Sequence, residues 1–297
     1  MTEPTGPWTI GRLLTWTTNF LKQHGSESPR LDAEVLLAHA RGCDRIHLYA
    51  CFDEIAADDL RDQFRALVRE RAAGKPVAYL VGYREFYSRE FEVTSDVLIP
   101  RPETEYLVVA MLDHIKAKSS TDASLAIADI GTGSGILAVC AALELPNAVL
   151  TALDVSHSAL EIAARNATRH HVNDRITFTS SDLFGNIDPS IQFDYVLSNP
   201  PYIGENERST LPRDVRDFEP PVALFAGTHG MDIVHRLVCE VPAYLKEGGT
   251  LICEFSPPQQ AEIRQLVKNE PQLGEPHFVN DLAQQPRILV VTRQKAS

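Results

Sequence analysis

Asn199 ends a short apolar run, Phe193-Asp194-Tyr195-Val196-Leu197-Ser198, and is followed by Pro200, Pro201 and Tyr202. Those residue types in that order suit one kind of chemistry. Phe193, Tyr195, Val196 and Leu197 fit a buried parallel strand. Each proline fixes its own φ, lacks an N–H and holds the residue before it extended, so neither helix nor strand ladder can continue. Asn199 then stands at the carboxyl end of a strand, where open α/β sheets bind ligands. Its side-chain carbonyl and the main-chain carbonyl of Pro200 make a cradle for an –NH2 group, and the Tyr202 ring offers a flat face to a planar substrate. Asn-Pro also marks ordinary turns, in which the Asn bonds its own backbone. What lies upstream decides between the two.

Upstream is Asp129-Ile130-Gly131-Thr132-Gly133-Ser134-Gly135. Glycines between a strand and a helix allow a tight turn and let a ligand touch the backbone, beside the free N–H groups of the helix start. Dinucleotide-binding folds use a similar loop. Asp154 closes the next strand, where a carboxylate can take both ribose hydroxyls. This pair alone does not separate a nicotinamide dinucleotide from S-adenosylmethionine. Two details favour the latter. Asp129 can hold the ammonium of a methionine moiety, which the dinucleotide lacks. Asp182, in Ser181-Asp182-Leu183-Phe184, can accept from an adenine amino group, with Leu183 packed on the ring; the alternative for Asp182 is a turn or helix cap. Asp129, Asp154 and a downstream Asn-Pro-Pro-Tyr, in that order, read as a methyl-transfer site.

The elements that must position these residues alternate strand and helix from about residue 124, which implies a mostly parallel sheet covered on both faces. Strands are expected at 125–130, 148–153, 176–178, 193–197, 250–254 and 287–292. Helices are expected at 134–143, 156–169, 233–245 and 258–268. The 233–245 helix carries Pro242 as a possible kink, and Lys246-Glu247-Gly248-Gly249 is its terminator. Before this region, residues 8–74 read as amphipathic helices. One carries Ile10, Leu13, Leu14, Thr17, Phe20 and Leu21 on a single face, a second spans 31–41 and a third 56–73. Residues 77–101, with Tyr83, Phe86, Tyr87 and Phe91, read as a β-hairpin linker. It ends at Pro100-Arg101-Pro102-Glu103, and Pro102 suits the first turn of a further helix. That proline pair serves as a stiff joint. In a sharper reading it lays the hairpin aromatics, Phe86 among them, and Arg101 over the mouth of the site, as substrate-binding residues beside Asn199, Pro200, Pro201 and Tyr202. The expected division is a helical bundle over 1–75, a hairpin linker over 76–101 and a catalytic domain over 102–297.

The chain has 297 residues and a formal net charge of −12. That balance opposes a broad phosphate-tracking surface, so no direct nucleic-acid binding is expected. No apolar run reaches membrane-spanning length, and Met1-Thr2-Glu3-Pro4 lacks signal-peptide features. The five cysteines are scattered and never in C-x-x-C spacing, as befits reduced thiols. A cytoplasmic protein without a metal is expected. His170-His171 has no ligand partners spaced around it and reads as a helix end.

Gly131-Thr132-Gly133-Ser134-Gly135, Asn199-Pro200-Pro201-Tyr202 and the helical N-terminal third resemble the release-factor glutamine methyltransferases, the HemK/PrmC family. The most specific part of the likeness is Leu98-Ile99-Pro100-Arg101-Pro102-Glu103-Thr104-Glu105. Glu219-Pro220-Pro221-Val222-Ala223-Leu224-Phe225-Ala226-Gly227 and Asp281-Leu282-Ala283 with Arg287 extend it over nearly the whole chain. Ala226 and Gln284 stand where the family often has glycine, and Leu183 where it often has an aromatic. The resemblance implies a Rossmann-like, seven-stranded, mostly parallel methyltransferase sheet behind a small helical bundle that recognises substrate. It also implies S-adenosylmethionine as cofactor, with S-adenosylhomocysteine as product. The implied reaction is N5-methylation of the glutamine in the Gly-Gly-Gln motif of peptide chain release factors. An adenine-N6 methyltransferase, whose flipped base would present a similar amine, and a ribosomal-protein glutamine methyltransferase are the rival readings.

Overall fold

The computed structural model describes residues 6–118 and 124–295. The Met1–Pro4 start, read above for targeting features, lies outside them. The chain divides into two compact units, one of Met1–Tyr83 with Pro212–Phe218 and one of Arg84–Leu211 with Glu219–Ser297. No helix among the described residues is long and apolar enough to cross a membrane.

The first unit is helical: α1 (Ile10–Gln23), α2 (Pro29–Arg41), α3 (Arg45–Ala50), α4 (Asp58–Ala72) and α5 (Val77–Val81). Thr9 caps α1 by accepting from the Arg12 amide, and Gly42, at φ +68°, stops α2 in the left-handed conformation that glycine adopts without a Cβ penalty. Ile10, Leu14, Leu36, Leu37, Leu48 and Phe64 fill the interior, each contributing about 1.5–3 kcal/mol by leaving water. Asp32 and Glu34 are buried acids, and both are paired: Asp32 with Arg71 at 2.7 Å, Glu34 with Arg45 at 3.0 Å and with Arg30. The helices α3 and α5 are too short to show a periodic stripe, and α5 occupies the start of the stretch read above as hairpin.

The second unit opens with a hairpin, β1 (Tyr83–Phe86) and β2 (Arg89–Glu92), whose turn residues Tyr87 and Ser88 both have positive φ, as a tight two-residue hairpin requires. After α6 (Glu105–Ala117) come β3 (Ala126–Ile130), α7 (Ile136–Glu144), β4 (Val149–Asp154), α8 (His157–Arg169), β5 (Ile176–Ser180) and β6 (Phe193–Ser198). Next is α9 (Arg213–Phe218), which belongs to the helical unit. There its Asp214 lies 4.0 Å from Arg71, and a Cβ at Gly74 would meet Phe218 at 3.2 Å. The chain ends with α10 (Asp232–Tyr244), β7 (Leu245–Glu254), α11 (Gln260–Lys268), β8 (His277–Asn280) and β9 (Pro286–Thr292).

The sheet has seven strands in the order β5-β4-β3-β6-β7-β9-β8. From β5 to β7 all neighbours are parallel, and β9 and β8 are antiparallel additions. One apolar layer holds residues of α6 and α7, the other residues of α10 and α11, and Leu197 and Val196 of β6 fall in opposite layers, as the strand's two-residue period demands. Pro242 does not end α10, which runs on to Tyr244. Lys246-Glu247-Gly248-Gly249, read above as a stop, lies inside β7: Phe193 pairs with Leu245 but Tyr195 with Thr250, so these residues form an irregularity in the strand. The register matters most at β3 and β6, where Ile130 is the partner of Ser198. Gly131 and Asn199 are therefore the next residues on adjacent parallel strands. This is the point at which the chain order reverses across the sheet, where such sheets bind ligands.

Candidate active site

A cavity of about 340 Å³ opens at the carboxyl ends of β3, β4, β5 and β6. Gly131, Thr132, Gly133, Ser134, Asp154, Asp182, Leu183, Asn199 and Pro201 all line it. The glycine turn is held by its backbone. The amides of Gly131 and Thr132 donate to the Leu153 carbonyl at 2.8 and 2.9 Å. Gly131 and Gly133 have φ of +69° and +54°, with nothing within 4 Å of a would-be Cβ, which leaves the cavity side open to a ligand. Gly135, at φ +82°, fails differently: a Cβ there would lie 3.0 Å from the Ala163 Cβ and 3.1 Å from its Cα, so it lets α8 approach the turn.

Asp154 spans this turn and the start of α8. Its Oδ2 accepts from the Gly133 amide and its Oδ1 from the Ser156 amide, both at 2.9 Å. Burial nonetheless raises its pKa, the larger effect against those bonds. Asn166 belongs to no motif that would single it out. Fully buried on α8, it accepts from the Glu92 amide and donates to the carbonyls of Glu92 (3.0 Å) and Ser134 (2.8 Å), pinning the hairpin to the glycine turn.

Asp129 does not line the cavity. It is fully buried, and its Oδ2 accepts from the Thr132 hydroxyl (2.7 Å) and the Ala138 amide (3.1 Å). Its Oδ1 is buried without a hydrogen-bond partner. Desolvation outweighs those two bonds and pushes its pKa up to about 7. Asp182 sits at the rim, where its carboxylate receives Arg236 Nη1 at 3.0 and 3.1 Å. Leu183 beside it is buried with φ +48°, a conformation that costs a branched residue energy and is kept where the surroundings impose it.

At the other side, Asn199 Nδ2 donates to the Thr104 hydroxyl at 3.0 Å. Thr104 lies in a 3-10 turn, Pro102–Thr104, just before α6 and is 0% exposed. Tyr202 donates its O–H to Glu254 Oε1 at 3.1 Å. Glu254, the last residue of β7, is 1% exposed, and its Oε2 has no hydrogen-bond partner. Burial raises its pKa; the Thr104 and Tyr202 hydroxyls and the charge of Arg287 oppose that rise. The Tyr202 carbonyl is held by Gln259 Nε2 at 2.9 Å, and a Cβ on Gly230 would strike that same carbonyl. Ile203 pairs with the 224–226 segment, which fixes the exit from the corner.

The sequence-expected residues therefore divide. Asp154, Asp182, Leu183, the glycine turn, Asn199 and Pro201 meet at one cavity. Pro200 is buried and not part of the cavity wall, and the Tyr202 hydroxyl donates to Glu254. Phe86 is corrected: it is 1% exposed and packs edge-on against Phe91 at 6.1 Å in the sheet core, out of reach of a substrate. Arg101 is also absent from the cavity wall. Its Nη2 pairs with the buried Glu219 at 2.6 Å, and Glu219 also takes the Ile99 amide, so this ion pair fastens the proline joint to the 219–227 loop. Thr104, Glu254, Asn166 and Gln259 were missed as site residues. A lone carboxylate closing the apolar Leu251-Ile252-Cys253 run was the one signal that could have exposed Glu254.

A seven-stranded, mostly parallel sheet of this order, with the cavity at its switch point, is the fold of S-adenosylmethionine-dependent methyltransferases. The catalytic domain of hMettl16, in complex with a MAT2A 3′UTR hairpin, superposes with a TM-score of 0.56 at 15% identity over 78% of this chain and 82% of that one. A 16S rRNA N2 methyltransferase of T. thermophilus, solved with AdoMet and guanosine, gives 0.51 at 14% identity over 72% and 50%. Residues 12–82 match the PrmC N-terminal domain and residues 108–212 the methyltransferase small domain. A release factor glutamine methyltransferase from Rhodopirellula baltica is 49% identical over 98% of this chain and 97% of its own length. Those of Koribacter versatilis and Chlorobaculum tepidum are 38% and 40% identical over 91% and 88% of the chain, and 93% and 90% of their own lengths. The chain belongs to the release factor glutamine methyltransferase family.

Proposed function

We propose that this protein transfers a methyl group from S-adenosylmethionine to the side-chain amide nitrogen, N5, of the glutamine in the Gly-Gly-Gln motif of peptide chain release factors, in the cytoplasm. The observation that carries the reading is the Asn199 amide at the cavity wall, whose Nδ2 is already engaged by Thr104. Its Oδ1 is the atom left to accept a hydrogen bond from a substrate.

The residues present fit the cofactor. The unpartnered Asp129 Oδ1 suits an ammonium, Asp154 has lone pairs left for ribose hydroxyls, and the open space over Gly131 and Gly133 admits a ligand against the backbone. Asp182 and Leu183 would hold the adenine. When bound, S-adenosylmethionine supplies an electrophilic methyl group on a sulfonium sulfur.

A carboxamide nitrogen is a poor nucleophile because its lone pair is delocalised into the carbonyl. Asn199 Oδ1 and the Pro200 carbonyl would accept its two N–H groups, favour the pyramidal nitrogen and fix the direction of its lone pair. Positive charge developing on that nitrogen is met by two preorganised oxygens, so positioning and electrostatics together lower the barrier. No side chain has to remove a proton first; the surplus proton leaves to water after transfer. Pro201 and Tyr202 shape the corner, and the helical unit is assigned to substrate recognition.

Mass spectrometry of a release factor and of a Gly-Gly-Gln peptide, after incubation with enzyme and S-adenosylmethionine, tests this. One added methyl on that glutamine is expected. An unmodified glutamine alongside methylated DNA adenine or ribosomal protein would overturn it.

A further inference from the structure

The Asn199 amide can meet a substrate –NH2 productively in only one of its two orientations. With Oδ1 toward the substrate it accepts; turned over, it opposes donor to donor. Packing hardly distinguishes the two, because the oxygen and nitrogen of an amide are nearly the same size, so the hydrogen-bond partner behind it must. That partner is Thr104 Oγ1, buried and 3.0 Å from Nδ2. A hydroxyl alone is ambiguous, since it can donate or accept. Glu254 removes the ambiguity. Its carboxyl takes the Tyr202 O–H at Oε1, and the Thr104 hydroxyl acts on it as a second donor, opposing the rise that burial gives its pKa. The Thr104 proton is thereby drawn to Glu254, which leaves an oxygen lone pair for Asn199 Nδ2.

We propose that Thr104 and Glu254 are positioning residues that lock the Asn199 amide with its oxygen toward the substrate, and so make the site select a carboxamide over a carboxylate. The inference rests on the glutamine reading above. It also accounts for a carboxyl group buried at the end of β7.

The test compares wild type with T104V, which removes the hydroxyl at nearly constant shape, T104S, which restores it, and E254Q, which gives the carboxylate position a donor. For each, kcat and KM are measured with a Gly-Gly-Gln peptide, the inhibition constant with the matching Gly-Gly-Glu peptide, and S-adenosylmethionine affinity by calorimetry. T104V and E254Q are expected to lower kcat about tenfold or more and to shift the Gln-over-Glu preference about tenfold toward Glu, as for a buried donor facing the wrong partner. Cofactor affinity should be unchanged, and T104S should behave as wild type. A preference within twofold of wild type in both variants would overturn the proposal. So would equal weakening toward both peptides, which marks a merely structural role. Should T104V fail to fold, E254Q carries the same comparison. A wild-type enzyme inactive on the Gln peptide would instead sink the glutamine reading itself, so the two failures are told apart.

Discussion

Gly131–Gly135 and Asn199–Tyr202 leave adjacent strands at the same level of the sheet, yet they are held in unlike ways. The glycine turn owes its shape to main-chain conformation: three positive φ values, amides tied to the neighbouring strand and a glycine where α8 comes close. The Asn-Pro-Pro-Tyr corner is stiff in its own backbone, but its chemistry depends on side chains from distant parts of the chain. Thr104 lies 95 positions before Asn199, and Glu254 lies 52 after Tyr202. A surface that binds by backbone N–H groups needs only the right bends. A surface that must present one amide atom and not the other needs partners that read the difference between donor and acceptor.

Substitutions can break or sharpen this contrast. Asn199→Ala should have the largest effect, about 10²-fold or more in turnover with little change in cofactor affinity, by analogy with loss of one preorganised polar partner; steady-state kinetics with calorimetry would show it, and near-normal turnover would refute the cradle. Gly135→Ala should act on the other region through the fold. The added Cβ meets Ala163 and the residue is held at positive φ, a cost of order 1–3 kcal/mol visible as a lowered melting temperature. If that variant melts like wild type, the turn is not shaped by close backbone approach.

Asp129 gives the contrast a pH dependence. Its carboxyl titrates near pH 7, raised by burial, and only the ionised form would hold an ammonium. Cofactor binding then releases a proton at acid pH, so affinity should fall as pH drops through 7, by up to about tenfold per unit. Calorimetry from pH 8 to 5.5 would read it, and Asp129→Asn should flatten the profile at lower affinity. Asp154→Ala should weaken cofactor binding by about tenfold, the scale of a lost charge-assisted hydrogen bond; unchanged affinity would remove Asp154 from the ribose site. The smallest effect is expected at Gln284, a non-glycine residue at φ +60°. Gln284→Gly should change stability by under about 1 kcal/mol, because relief of strain is offset by a freer unfolded chain. A larger loss would mean that the Gln284 side chain supports the fold.

The same contrast explains what the sequence could and could not tell. The strands β3 to β7 and β9 and the helices α7, α8, α10 and α11 were legible because each carries its own period, and the glycine turn because its requirement is local; the four-residue edge strand β8 (His277–Asn280) is too short to show one. Short α3, α5 and α9 leave no stripe to detect. Gly248-Gly249 was misread as a stop because glycine serves a strand irregularity as well as a helix end. In the hairpin, alternation says that Phe86 and Phe91 share a fate with each other but not which side of the hairpin meets the core, so Phe86 was assigned to the substrate. Thr104 was visible within a motif, but nothing in sequence couples it to Asn199. Ala226, at another position where the family often has glycine, is buried without a positive φ, which is why a methyl group is tolerated there and strained at Gln284.

The helix α9 has a practical consequence for anyone wishing to trade recognition modules among relatives. Since Pro212–Phe218 is counted with the first 83 residues, a graft that exchanges only the amino-terminal portion would strand a foreign helix among its neighbours. A faithful chimera needs two segments moved in concert, so inheritance of the amino-terminal bundle is bound to inheritance of a loop far downstream.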